Sequence, residues 1–152
     1  MKKSIQFKKL KFPLSEQFKS LRTNIEFSSL GDEIKSIVVT SSIEGEGKST
    51  IISNLAVTMA NINKRVVIVD CNLRSPTIHK RFSLPNSKGI TSILVQNRRI
   101  EECVLTTNIP NLYIIPSGPI SSNPSELLGS KKMKEILNEL SNSFDMILID
   151  TP

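Results

Sequence analysis

Cysteine and histidine are scarce, and the chain carries only two of the first and one of the second. Cys71 and Cys103 lie far apart, with neither the close spacing of a zinc or redox motif nor the density of a disulfide scaffold. Both are read as reduced thiols, as in a cytoplasmic protein. The lone His79 has no partner cluster with which to build a metal centre and is read as structural. Long apolar runs are also missing. None approaches the roughly 20 residues needed to cross a bilayer, and the lysine-bearing N-terminus has no apolar signal-peptide stretch. Tyrosine occurs once, at Tyr113, within an apolar run where packing is the natural role. Acidic residues are absent from the opening segment, where Lys2, Lys3, Lys8, Lys9 and Lys11 crowd together and add to a net charge of +6. Residues 1–13 therefore read as a basic tail, either a solvated extension or an electrostatic foothold on anionic lipid or an acidic partner.

What is present suits one domain: 152 residues with 38% hydrophobic content. A chain of that length buries roughly 70% of its unfolded surface, so it needs no disulfide or structural metal to fold. Leu14, Phe18, Leu21 and Ile25 recur at steps of four, three and four, which predicts an amphipathic helix ended by Gly31. Ile37 to Thr40 form a β-branched run of the kind found in buried parallel strands. After a loop with two glycines, Ile51, Ile52, Leu55, Ala56 and Met59 fall at helical spacing, with a stop over Asn61 to Lys64. Further apolar runs occupy Val66–Val69, Leu112–Ile115 and Met146–Ile149, and a helix is predicted over Lys131–Leu140. Strands alternating with helices predict an α/β fold with a mostly parallel sheet flanked by helices. In such sheets ligands bind beyond the carboxyl ends of the strands.

The loop after the first strand reads Ser42-Ile43-Glu44-Gly45-Glu46-Gly47-Lys48-Ser49-Thr50. It looks like a Walker A loop, which would make this a P-loop NTPase. A triphosphate needs backbone N–H groups turned onto one concave face, hence Gly45 and Gly47. A helix N-terminus supplies only about 0.3–1 kcal/mol toward an exposed anion, so a cation and a metal are also needed. Lys48 can reach the β- and γ-phosphates of ATP, and the Ser49 hydroxyl can bind magnesium. Ser42 stands where the consensus has its first glycine. The candidate nucleotide-binding residues are Ser42, Gly45, Glu46, Gly47, Lys48, Ser49, Thr50 and, as a further positive charge, Arg74. Arg74 reads equally as a surface salt-bridge partner. Asp70 and Asp150 close two apolar runs at the strand tips, where carboxylates suit magnesium held directly or through water. The candidate metal ligands are Ser49, Asp70 and Asp150. A helix cap is the alternative for Asp70. Cys71 stands beside this centre as an isolated loop thiol. Pro124, Ser125 and Glu126 read as a helix start, with Asn123 or Ser125 as cap.

These segments resemble the bacterial tyrosine kinases of capsule and exopolysaccharide synthesis. The likeness is carried by EQFKSLRTNI (Glu16 to Ile25), the phosphate loop, VDCNLRSPTIHKRF (Val69 to Phe82), SGPISSNPSELL (Ser117 to Leu128) and the closing ILIDTP. The resemblance implies transfer of the γ-phosphate of ATP to tyrosine, with Lys48, Asp70 and Asp150 as the catalytic residues. It also implies a membrane activator of the polysaccharide co-polymerase type engaged through its cytoplasmic tail, and tyrosine-containing protein substrates. Subunit contacts would run through Glu16, Lys19 and Arg22, the protein would work at the inner face of the membrane, and no nucleic acid would be bound.

Three departures stand out. Asn72 occupies the position of a usual second aspartate, and it brings no negative charge to the metal. Loss of one outer partner of a metal site costs about 10–100-fold in affinity or activity. Lys19 replaces an arginine and loses its planar fork. Residues 14–152 read as a kinase domain lacking its C-terminal part, because the family continues past the aspartate matching Asp150 to a tyrosine-rich tail. The phosphate-loop strand is therefore expected at an open sheet edge. Two rival functions remain: a partition or division-site ATPase, whose extra lysine is matched by Ile43, and a weak or inactive nucleotide-binding fragment that docks on an activator.

Overall fold

The computed structural model describes residues 12–152, with side chains from Glu16 onward. The elements follow as α1 (Phe12–Ser28), β1 (Ser36–Val39), α2 (Lys48–Ala60), β2 (Val66–Asp70), α3 (Ile78–Arg81), α4 (Ile90–Gln96), α5 (Ile100–Cys103), β3 (Leu105–Thr106), β4 (Leu112–Ile115), α6 (Pro124–Leu128), α7 (Lys131–Ser143) and β5 (Met146–Asp150). The basic tail lies outside the described residues except for Phe12 and Pro13, which open α1. Proline is tolerated there because first-turn N–H groups have no helical partner.

Among the described residues the strands form one sheet in the order β1-β5-β2-β4-β3. β1, β5, β2 and β4 run parallel, and only the short β3 is antiparallel, against β4. The expected mostly parallel sheet flanked by helices is thus present. β2 and β5 are buried at every residue, which explains their unbroken apolar runs. Successive side chains point to opposite faces, so each strand feeds two cores. Val66, Ile68, Leu112, Ile114, Met146 and Leu148 meet Ile52, Leu55, Ala56 and Met59 of α2 on one face. Val67, Val69, Ile115, Ile147 and Ile149 meet Ile93 of α4 and Met133, Ile136 and Leu140 of α7 on the other. Each such side chain contributes about 1.5–3 kcal/mol when fully buried.

The helix patterns are largely confirmed, with two shifts. Phe18 and Ile25 of α1 pack against the α2 core, but Leu21 lies at the exposed rim. Ile51 faces outward from α2, because the helix buries Ile52, Leu55, Ala56 and Met59. In α7 the buried positions fall at three and four residues apart, and Ser130 caps the helix by accepting the Met133 N–H at 3.2 Å. Asn123, not Ser125, is the N-cap residue of α6, with Glu126 in its first turn.

β1 pairs with β5 alone among the described residues, and Val38 on it is 56% exposed. The phosphate-loop strand is therefore at a sheet edge, as the sequence reading expected. Tyr113 packs edge-on to Phe144 at 5.4 Å between ring centroids, with the Arg65 guanidinium over both rings. Among the described residues no helix is long and apolar enough to cross a membrane.

Candidate active site

The chain runs from β1 into the loop and then α2, while β5 lies between β1 and β2. This order gathers the tips of β1, β5 and β2 at one end of the sheet, where open α/β sheets bind ligands. Gly45 and Gly47 adopt left-handed backbone at φ 82° and 88°, which disfavours any residue with a Cβ. A Cβ on either would meet nothing within 4 Å, so backbone conformation rather than space selects glycine. Gly47 is the N-cap of α2, and it directs the first N–H groups of the helix into the loop.

Lys48 is buried to 9% exposure, and its Nζ donates to Ser41 Oγ at 2.6 Å. Ser41 in turn donates to the Ile43 carbonyl at 2.8 Å. The cation is thereby tied to the start of its own loop. Ser49 Oγ donates to Asp150 Oδ2 at 2.7 Å and accepts from Thr77 Oγ1 at 3.0 Å. Thr50 Oγ1 accepts from Arg81 Nη2 at 2.6 Å.

Asp70 and Asp150 are register partners on β2 and β5, and both are fully buried. Asp70 accepts the Asn72 N–H on Oδ1 at 3.1 Å and the Ile78 N–H on Oδ2 at 3.2 Å. It therefore does cap α3, without leaving the site. Burial foremost, then the charge of Asp150, pushes its carboxyl from 3.8 up to about 7. Burial also raises Asp150, opposed by its hydrogen bond from Ser49 and by the charges of Lys48 and Arg81. Asp150 Oδ1 is buried and takes no hydrogen bond among the described residues. An orphaned anionic oxygen beside a serine hydroxyl and a second carboxylate suits a hard cation. The described residues hold no cluster of three or more His, Cys, Asp or Glu. The Ser49 hydroxyl and the Asp150 carboxylate fit magnesium, which takes few protein ligands and completes its shell with water and phosphate.

A cleft of about 390 Å³ opens over the loop, lined by Gly45, Gly47, Lys48, Ser49, Thr50 and Asn72, with Thr77 and Arg81 on the α3 side. Its size falls in the range of small-molecule sites. Of the sequence-predicted residues, five lie outside this lining: Asp70 and Asp150 are fully buried, and Ser42, Glu46 and Arg74 are exposed. Glu46 instead accepts the Ile43 N–H at 3.4 Å within the loop. A different arginine, Arg81, lines the cleft. Asn72 lines the cleft while its side-chain oxygen accepts the Ser75 N–H at 3.2 Å, so the amide holds the turn. Cys71 is buried, and burial pushes its thiol up to about 12, which makes it inert rather than reactive. His79 is half-buried, with burial lowering its pKa, and its Nδ1 has no hydrogen-bond partner among the described residues.

Ser41, Thr77 and Arg81 were not singled out by sequence reasoning. Thr77 and Arg81 are spaced four apart inside the segment Val69 to Phe82, and only the placement of α3 against α2 brings them to the loop.

Comparison with known proteins fits this geometry. The AAA domain family matches residues 34–152. The tyrosine-protein kinase YwqD of Bacillus subtilis is 46% identical over 138 residues, covering 91% of this chain and 58% of that protein. The crystal structure of the chimerical protein CapA2B2 superposes with a TM-score of 0.90 at 39% identity, covering 95% of this chain and 64% of that one. The septum site-determining protein MinD of Pyrococcus horikoshii, complexed with Mg-ADP, is more distant, with a TM-score of 0.67 at 25% identity over 78% of this chain and 49% of its own. The chain thus spans 58% of the length of the B. subtilis kinase it matches.

Proposed function

The chain belongs to the AAA domain family and, within it, to the bacterial tyrosine kinases, and from that premise we propose that it binds Mg-ATP and transfers the γ-phosphate to a tyrosine hydroxyl. The observation that carries the reading is the hydrogen bond from Ser49 of the phosphate loop to the buried Asp150, with Asp70 in register beside it. ATP supplies the transferable phosphoryl group, and magnesium neutralises charge on it. The chain's part is then positioning and electrostatics, as phosphoryl transfer requires. Gly45, Gly47 and the start of α2 present N–H groups to the phosphates, and Lys48, held by Ser41, adds its charge. Ser49, Asp70 and Asp150 would hold the metal. Asp70, in register beside Asp150, would serve both the metal and the attacking tyrosine hydroxyl.

Activity of the whole protein, its substrates and its partners belong to the same proposal. We assign work at the cytoplasmic face of the membrane with an activator tail, and self-association through Glu16, Lys19 and Arg22, of which the exposed Glu16 and Lys19 pair with each other at 3.2 Å. Arg22 also donates within the chain, to the Thr58 carbonyl of α2 at 2.9 Å. A second reading, nucleotide binding without transfer, is favoured by Asn72 at a position that usually adds a carboxylate. A MinD-like ATPase role is disfavoured by Ile43, which stands exposed where that class carries a lysine.

The test is transfer from γ-labelled ATP to a tyrosine-containing polymer. Label on tyrosine in the wild type, lost in Asp70→Asn, supports the kinase reading. Nucleotide binding without label supports the second reading, and turnover to free phosphate alone supports the ATPase.

A further inference from the structure

Lys48 and Arg81 are the two cations lining the cleft. Arg81 closes α3, and its Nη2 is bonded to the hydroxyl of Thr50 in the first turn of α2. Among the described residues it takes part in no ion pair. A guanidinium has five N–H donors, so one bond to a neutral hydroxyl leaves most of its capacity unused.

The helix that carries Arg81 is fixed by the site itself. Asp70 caps it through the Ile78 N–H, Thr77 bonds the Ser49 hydroxyl, and the buried Ile78 and Phe82 seat it on the α2 core. The Arg81 side chain itself is exposed at the cleft and is held there by its bond to Thr50. Its charge stands on the α3 side of the loop, while Lys48 is held on the Ser41 side. Two cations and a helix N-terminus converge on one cleft whose only acidic lining residue, among the described residues, is Glu44. Both cations act on the Asp150 carboxylate beside Ser49, and a polyphosphate in the cleft gives them a further anionic partner.

We propose that Arg81 is a phosphate-binding residue of this site, its guanidinium contacting the polyphosphate of bound nucleotide from the Thr50 side while Lys48 does so from the Ser41 side. Arginine suits the role because its planar fork meets phosphate oxygens with two parallel bonds. The inference rests on the nucleotide reading above and adds a residue to it.

Calorimetric titration of Mg-ATP into the wild type, Arg81→Ala, Arg81→Gln and Arg81→Lys tests it, alongside the melting temperature of each nucleotide-free protein. Arg81→Ala and Arg81→Gln are expected to weaken affinity about tenfold, the loss of one charge-assisted contact, and to reduce its salt dependence. Arg81→Lys should recover part of the affinity, and the nucleotide-free melting temperatures should match the wild type. Gln stays polar but carries no charge, so a Gln variant that binds like the wild type would mean that the Arg81 charge makes no contact with the nucleotide. Wild-type affinity in Arg81→Ala would also overturn the inference, with the nucleotide site intact. No binding by the wild type would instead overturn the nucleotide reading itself.

Discussion

Asp70 and Asp150 stand at the same register position on the two central strands of the sheet, both fully buried, with the Cys71 N–H bonded to the Asp150 carbonyl at 2.9 Å. Two carboxylates so placed repel each other unless a proton or a cation lies near them. This pair makes the site unstable as an empty anionic centre and receptive to a divalent ion.

One consequence is a pH-dependent stability in the metal-free protein. The Asp70 carboxyl rises from 3.8 to about 7 on folding, so the native state binds its proton more tightly than the unfolded chain. That stabilisation is complete below about pH 4 and is lost as pH climbs to about 7, amounting to at most about 4 kcal/mol at 1.36 kcal/mol per unit. With a chelator present, urea unfolding should show stability falling across that window. Asp70→Asn should flatten the slope and be the more stable protein at about pH 8, by on the order of 1–3 kcal/mol after the loss of one backbone hydrogen bond. An unchanged slope in the variant would locate the effect elsewhere.

Ser41 holds Lys48 by the 2.6 Å bond to Nζ and is itself anchored on Ile43. Ser41→Ala should therefore weaken Mg-ATP binding by about tenfold, the worth of one hydrogen bond to a charged group. Isothermal titration of the variant checks this, with Lys48→Ala as the fuller loss. Equal affinity for wild type and Ser41→Ala would show that the lysine is placed without its help.

Gly89 is fixed by space rather than by backbone angle. A Cβ there would lie 2.1 Å from the Pro116 carbonyl oxygen and 2.4 Å from the Gly118 nitrogen. These are backbone atoms, so relief requires the start of α4 and the loop after β4 to part. Gly89→Ala should cost at least about 1–3 kcal/mol, read as a lowered urea midpoint. A midpoint equal to the wild type would contradict that close approach.

The central strands could be read from sequence because burial on both faces leaves an unbroken apolar run, as in Val66–Val69 and Met146–Ile149. β3, α4 and α5 could not. They are short, and long-range contacts such as Ile93 and Cys103 in the core beside α7 hold them in place. The phosphate loop and both aspartates were legible because each is a local signal: glycines before a helix, or an acid at the end of an apolar run. Ser41, Thr77 and Arg81 gain their roles only through partners 7, 28 and 31 residues away, respectively. No spacing rule encodes those distances. Arg74 drew attention by lying near Asp70 in sequence, yet the chain turns it outward and brings Arg81 to the cleft instead.

The most direct test of the central claim is magnesium-dependent ATP binding by calorimetry, comparing the wild type with Lys48→Ala and Asn72→Asp. Saturable binding that requires magnesium, is abolished by Lys48→Ala and is tightened by Asn72→Asp is the predicted result. Absence of binding in all three proteins, or binding indifferent to Lys48, would contradict the assignment of this cleft to a nucleotide.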